Sequence, residues 1–97
     1  MITITAFIRY NEDSAALEKL TALLAQLIHE TRKEPGCQRY DLHEVIDQPG
    51  LFIMMEEWAS EVALETHNAS EHFTHFVAAS EAYLTAPIEE FQSKRFI

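Results

Sequence analysis

A chain of 97 residues with 47% apolar and 24% charged residues has the make-up of one ordinary globular domain, and its core has little margin. The formal charge of −9 lacks the basic footprint that nucleic acid or an anionic membrane surface requires. It also disfavours strongly anionic ligands, unless the few basic residues gather in one place. A single cysteine, Cys37, excludes an internal disulfide framework and fits a reducing compartment; it reads as a small half-buried strand residue. The start MITITAFIRY lacks the pattern of a signal peptide, and no run approaches the roughly 20 apolar residues of a membrane span. The expected location is the cytoplasm.

Residues 2 to 10 alternate, with Ile2, Ile4, Ala6, Ile8 and Tyr10 on one face, which predicts a strand. Asn11 to Ser14 supplies turn and N-cap chemistry. Leu17, Leu20, Leu24, Leu27 and Ile28 then recur at helical spacing, in a helix expected to end near Lys33, before Pro35-Gly36. Cys37 to about Val45 is strand-like, with Tyr40 and Leu42 on one face, and Asp47 to Gly50 is a turn. Leu51 to Trp58 is the next strand, closing an antiparallel hairpin. Its run LFIMM is apolar on both faces, as in a central strand.

Two helices follow, about Glu61 to His67 and about Glu71 to Leu84, with Ser60 and Ser70 placed to cap them. Pro87 stops the second, whose inward stripe is Phe73, Phe76, Val77, Ser80 and Leu84. Ile88 to Ile97 reads as a last strand. The order β-α-β-β-α-α-β, in one domain spanning 1–97, is the α+β, ferredoxin-like split βαβ with a four-stranded antiparallel sheet and a broken second helix. One sheet face then lacks cover, and sheet-to-sheet packing of a homodimer would supply it.

Candidate chemistry concentrates between Glu56 and Phe76, where His67, His72 and His75 lie among aromatic residues. His67, on the inward side of the short helix, is the candidate proton acceptor; the structural alternative is a helix-terminal histidine bonded to a carbonyl. His72, in the first turn of its helix, can act in the site or bond locally. His75, beside Phe76, reads as a solvated surface histidine, and His29 and His43 have no visible constellation. Glu56, an acid in an apolar strand, is costly to bury unless paired or protonated. It can orient His67, meet substrate, or pair with Arg39 or Arg95. Tyr40, Phe52, Trp58, Phe73 and Phe76 are candidate substrate walls, or core. The H-x4-H-x2-H spacing is not a zincin helix, so no metal is expected. The two isolated glycines, Gly36 and Gly50, form no dinucleotide motif.

Glu34-Pro35-Gly36-Cys37 with Tyr40, then Phe52, Glu56 and Trp58, then Ser60, Ala63-Leu64 and His67, then Ser70, His72-Phe73 and Phe76, together resemble the antibiotic biosynthesis monooxygenase family along nearly the whole chain. The resemblance implies a homodimeric α/β barrel that binds small apolar molecules between sheet and helices. It implies oxidation of quinols or aromatic phenols by dioxygen with no metal, flavin or haem cofactor, with His67 and His72 at pocket positions. Isomerases of small carbonyl compounds share the fold, as does a haem-degrading branch. That branch has tryptophan where this chain has His67 and an iron-ligating histidine near Val77, so its activity is not expected. The expectation is a cofactor-independent quinol-type monooxygenase; the rivals are an isomerase or lyase and a non-catalytic binding module.

Overall fold

The computed structural model describes residues 1–97. Its strands are β1 (Ile2–Arg9), β2 (Cys37–Glu44), β3 (Leu51–Trp58) and β4 (Glu89–Ser93), and its helices are α1 (Ser14–Thr31), α2 (Glu61–Asn68) and α3 (Glu71–Ser80). The sheet order is β2-β3-β1-β4, with every neighbouring pair antiparallel. This is the α+β ferredoxin-like arrangement, with β3 and β1 central and the helices on one face.

Side-chain caps set the helix starts. Asp13 accepts the Ala16 N–H at 3.2 Å, Ser60 the Ala63 N–H at 3.1 Å and Ser70 the Phe73 N–H at 3.3 Å. The alternation of the central strands delivers Ile4, Ala6 and Ile8 of β1 and Phe52, Met54, Glu56 and Trp58 of β3 to the helix side, all buried. Leu20, Leu24 and Leu27 of α1 cover them, each worth about 2 kcal/mol of burial. The opposite sheet face carries Thr5, Phe7, Ile53 and Met55, with Phe7 edge-on to Phe91 at 5.8 Å. Phe91 is 55% exposed there.

Three boundaries differ from the sequence reading. α1 ends at Thr31, because the chain turns back at once through Glu34 N–H to Thr31 O, 3.0 Å. α3 ends at Ser80 and passes through one 3-10 turn (Glu81–Tyr83), because Leu84 becomes extended and bridges Tyr10. The Thr85 N–H to Arg9 O bond (3.0 Å) and the Asn11 N–H to Tyr83 O bond (2.9 Å) strap this segment across the end of the sheet. The last strand spans only Glu89–Ser93; Phe96 and Ile97 beyond it are exposed. No helix is long and apolar enough to cross a membrane.

Candidate active site

Three chain segments meet at one carboxylate. The tight turn after α1 presents Glu34, whose Oε2 lies 2.7 Å from His67 Nδ1 and 2.9 Å from His72 Nε2. A carboxylate oxygen only accepts, so both nitrogens carry the hydrogen. His67 Nε2 is then the basic nitrogen, and it has no hydrogen-bond partner in the protein. His67 is only 1% exposed. Its ring centroid lies 4.6 Å from Trp58, 4.8 Å from Phe73 and 5.4 Å from Tyr40. Burial among these rings lowers its pKa, and Glu34 opposes the shift.

Backbone contacts hold this array. Gly36 packs so closely on α2 that an added Cβ would collide with Ala63 Cβ, and its carbonyl accepts the Ala59 N–H at 2.9 Å. The Ser70 hydroxyl donates to the His67 carbonyl at 2.6 Å, fastening the end of α2 to the start of α3. The residue that sequence reasoning missed is Glu34, which reaches His67 and His72 across 33 and 38 residues.

An apolar cavity of about 630 Å³ lies between the sheet and α1, α3 and the 84–88 segment. Of the sequence candidates, Tyr40, Glu56, Phe73 and Phe76 line it. His67, His72, Phe52 and Trp58 are not in this wall. Phe52 instead stacks on Tyr10 at 4.2 Å, and Trp58 is fully buried behind Tyr40. A smaller cavity of about 140 Å³ has His67, Asn68 and Gln92 in its wall, with Glu56 and Glu90 shared between the two cavities. His75, His29 and His43 are exposed.

Glu56 does not pair with arginine. Arg39 is engaged by Asp41 at 2.9 Å, and the Glu56 carboxyl instead accepts the Trp58 indole N–H at 3.0 Å. Burial pushes its pKa up to about 7; the indole bond works against that rise, and nearby Glu90 adds to it. Glu90 sits on an exposed strand, but partial shelter of its carboxyl in the cavity wall raises its pKa too. Burial, then Glu56 and Glu90, also raise the Tyr40 phenol, which stays protonated. The Cys37 thiol is raised by burial and by Glu34 and Glu56, which leaves it unreactive.

The donor atoms of Glu34, His67 and His72 lie within 4.8 Å of one another, so this trio is the group that could hold a metal ion. Metal-bound through Nδ1, His67 would bury an Nε2–H without an acceptor, against the usual pattern of ligating histidines. The hydrogen-bonded array leaves only a bare lone pair there. These residues fit a base and its orienting acid better than a metal centre.

The family model described as antibiotic biosynthesis monooxygenase matches residues 1–79. The chain is 33% identical over 89 residues to "Putative monooxygenase YcnE" of Bacillus subtilis (strain 168), covering 92% of each. It is 38% identical over 73 residues to "Putative monooxygenase Rv0793" of Mycobacterium tuberculosis, covering 75% of this chain and 71% of that one. The structure of Rv0793 matches with a TM-score of 0.89 at 30% identity, over 99% of this chain and 95% of that one. A crystal structure titled antibiotic biosynthesis monooxygenase matches with a TM-score of 0.90 at 30% identity over the whole of both chains. With sequence, fold and the order of the elements in agreement, this chain belongs to the antibiotic biosynthesis monooxygenase family.

Proposed function

We propose that the protein is a cofactor-independent monooxygenase that oxidises a quinol or related aromatic phenol with dioxygen and works as a homodimer. The observation that carries this reading is Glu56: a buried carboxyl tuned to about 7, in the wall of an apolar cavity large enough for an aromatic molecule. Near neutral pH it is poised to take the phenolic proton, which makes the substrate a better electron donor. For a quinol, dioxygen in and hydroxyquinone plus water out balances, and the substrate supplies all four electrons. Phe73, Phe76 and Tyr40 would hold the ring and keep bulk water away.

His67 serves behind Glu56. Both stand in the wall of the small polar cavity, and the bare Nε2 would hold the proton that Glu56 collects only in passing, since burial lowers the His67 pKa below the value of about 7 at Glu56. Glu34 fixes the tautomer, as an orienting acid does for a catalytic histidine.

The second reading is a carbonyl isomerase on the same site. A carboxyl half-protonated near pH 7 is both acid and base, which proton relocation between adjacent carbons needs. Oxygen uptake with hydroquinones, naphthoquinols and polycyclic phenols separates the two, run with wild type, Glu56→Gln and His67→Ala against spontaneous autoxidation. Uptake above background that falls at least about 100-fold in Glu56→Gln is the expected result. Turnover of a carbonyl substrate without oxygen would replace the oxygenase with the isomerase.

A further inference from the structure

The large cavity has a one-signed electrostatic character. Its charged lining residues are Glu56, Glu81 and Glu90, and no lysine, arginine or histidine joins them. The chain has seven basic residues, and they gather elsewhere. Arg9 lies on the far face of β1 and pairs with Glu89 at 3.3 Å. Arg32 and Arg39 both bond Asp41, at 3.1 and 2.9 Å, and Lys33 bonds Glu30 at 3.3 Å. Lys19, Lys94 and Arg95 are exposed and absent from the cavity wall. A ligand entering here meets an apolar wall and negative charge.

A second feature of the wall points to the ligand's polar group. Ser80, on α3 one turn beyond Phe76, is wholly buried in the same lining, and its hydroxyl has no hydrogen-bond partner in the protein. An unpartnered buried hydroxyl costs stability, and a ligand hydroxyl, carbonyl or amine can satisfy it once a small movement of the wall uncovers it, since it is closed to water in the free fold. The ligand is met by a neutral polar group at one point and by carboxylates at others.

We propose that the cavity selects by charge: it takes aromatic ligands that are uncharged or cationic, held in part through the Ser80 hydroxyl, and turns away carboxylates, sulfonates and phosphates. This rests on the cavity being the substrate site. It narrows the substrate from any quinol or phenol to one free of acidic substituents. The physical basis is the interaction of like charges at short range in a sheltered site, where the effective dielectric is about 20 rather than that of water. Like charges several ångströms apart then change affinity by about tenfold or more. An anionic ligand must also hold Glu56 and Glu90 protonated, which adds to its handicap as pH rises.

The test is calorimetric binding of three probes with one ring body: 2-naphthol, 2-naphthylmethylamine and 2-naphthoate. It is run on the whole protein at about pH 8, where 2-naphthol is neutral and the other two are charged. The expected order places 2-naphthoate at least about tenfold weaker than 2-naphthol, with the amine at least equal to the naphthol. Glu90→Gln should narrow the naphthol-to-naphthoate ratio several-fold, and Ser80→Ala should weaken 2-naphthol by about fivefold. Rising salt should shrink the discrimination, since exposed Glu81 and Glu90 contribute part of it. Naphthoate binding as tightly as naphthol, or a ratio that Glu90→Gln leaves unmoved, overturns the charge rule. If no probe binds, both the charge rule and the cavity as substrate site fail. Charge-selective binding without oxygen uptake on any quinol would sink the oxygenase reading alone.

Discussion

Glu34 and His67, far apart in sequence, meet at 2.7 Å inside the fold, and the same Glu34 oxygen also takes His72 at 2.9 Å. One acidic side chain thereby fixes the turn after α1 against both α2 and α3. Replacing it tests the array directly. Glu34→Ala should strand two imidazole N–H groups, one of them wholly buried, and cost about 2–4 kcal/mol in urea unfolding. Glu34→Gln should cost less, because its carbonyl oxygen still accepts. It should also lower the His67 pKa further, since the carboxylate holds that value up. Histidine nitrogen shifts in an NMR titration would read both changes; an unmoved His67 resonance would refute the coupling.

Stability should depend on pH through two opposed groups. Glu56 titrates near 4.5 when free and at about 7 in the fold. The folded state therefore keeps a proton that the unfolded chain releases. That contribution is fully present below about 4.5 and fades as pH rises through about 7, a loss of roughly 3 kcal/mol. His67, with its pKa lowered from 6.5, acts oppositely: its contribution is full above about 6.5 and lost as pH falls through the lowered value. Glu56→Gln keeps an acceptor for the Trp58 N–H but cannot ionise. Its denaturant midpoint should exceed that of wild type at about pH 8 and the gap should close at about pH 5. Parallel curves would contradict the assignment of about 7 to Glu56.

Gly36→Ala should destabilise by about 1–3 kcal/mol, because its new methyl meets Ala63 Cβ and pushes the Glu34 turn away from α2. The double variant Gly36→Ala, Ala63→Gly removes that collision. It should recover the His67 signature seen by NMR, though not all the stability, since glycine inside α2 costs about 1 kcal/mol. A double variant no better than the single one would place the damage elsewhere.

The outward sheet face predicts assembly. Phe91 is 55% exposed beside Phe7, on the face with Thr5, Ile53 and Met55. Sedimentation of the wild type should give twice the 11.2 kDa chain mass, and Phe91→Asp should shift the equilibrium toward single chains. A wild type that sediments as a single chain at all concentrations would rule the homodimer out.

Periodicity made the sheet legible. Alternation along β1 and β3 named the buried faces, and the serines at 60 and 70 marked where α2 and α3 begin. Partnership between distant side chains left no such trace. Glu34 stood in a recognisable Glu-Pro-Gly-Cys segment, yet nothing local ties an acid in a turn to a histidine two elements later. Burial of Phe52 and Trp58 followed from spacing, but not that Phe52 would stack on Tyr10 or that Trp58 would meet Tyr40 edge-on. The strap over the cavity was hidden for another reason: Leu84 exchanges helical geometry for a bridge to Tyr10, and that contact exists only once the sheet has formed.

Trp58 is the chain's one tryptophan, and its indole N–H rests on the carboxyl of Glu56 while its ring leans on His67. The protein thus carries its own optical probe, wired to both titrating groups and shielded from solvent. Emission from that indole should shift as Glu56 gains or loses its proton, which makes the charge state of a buried acid visible without a label.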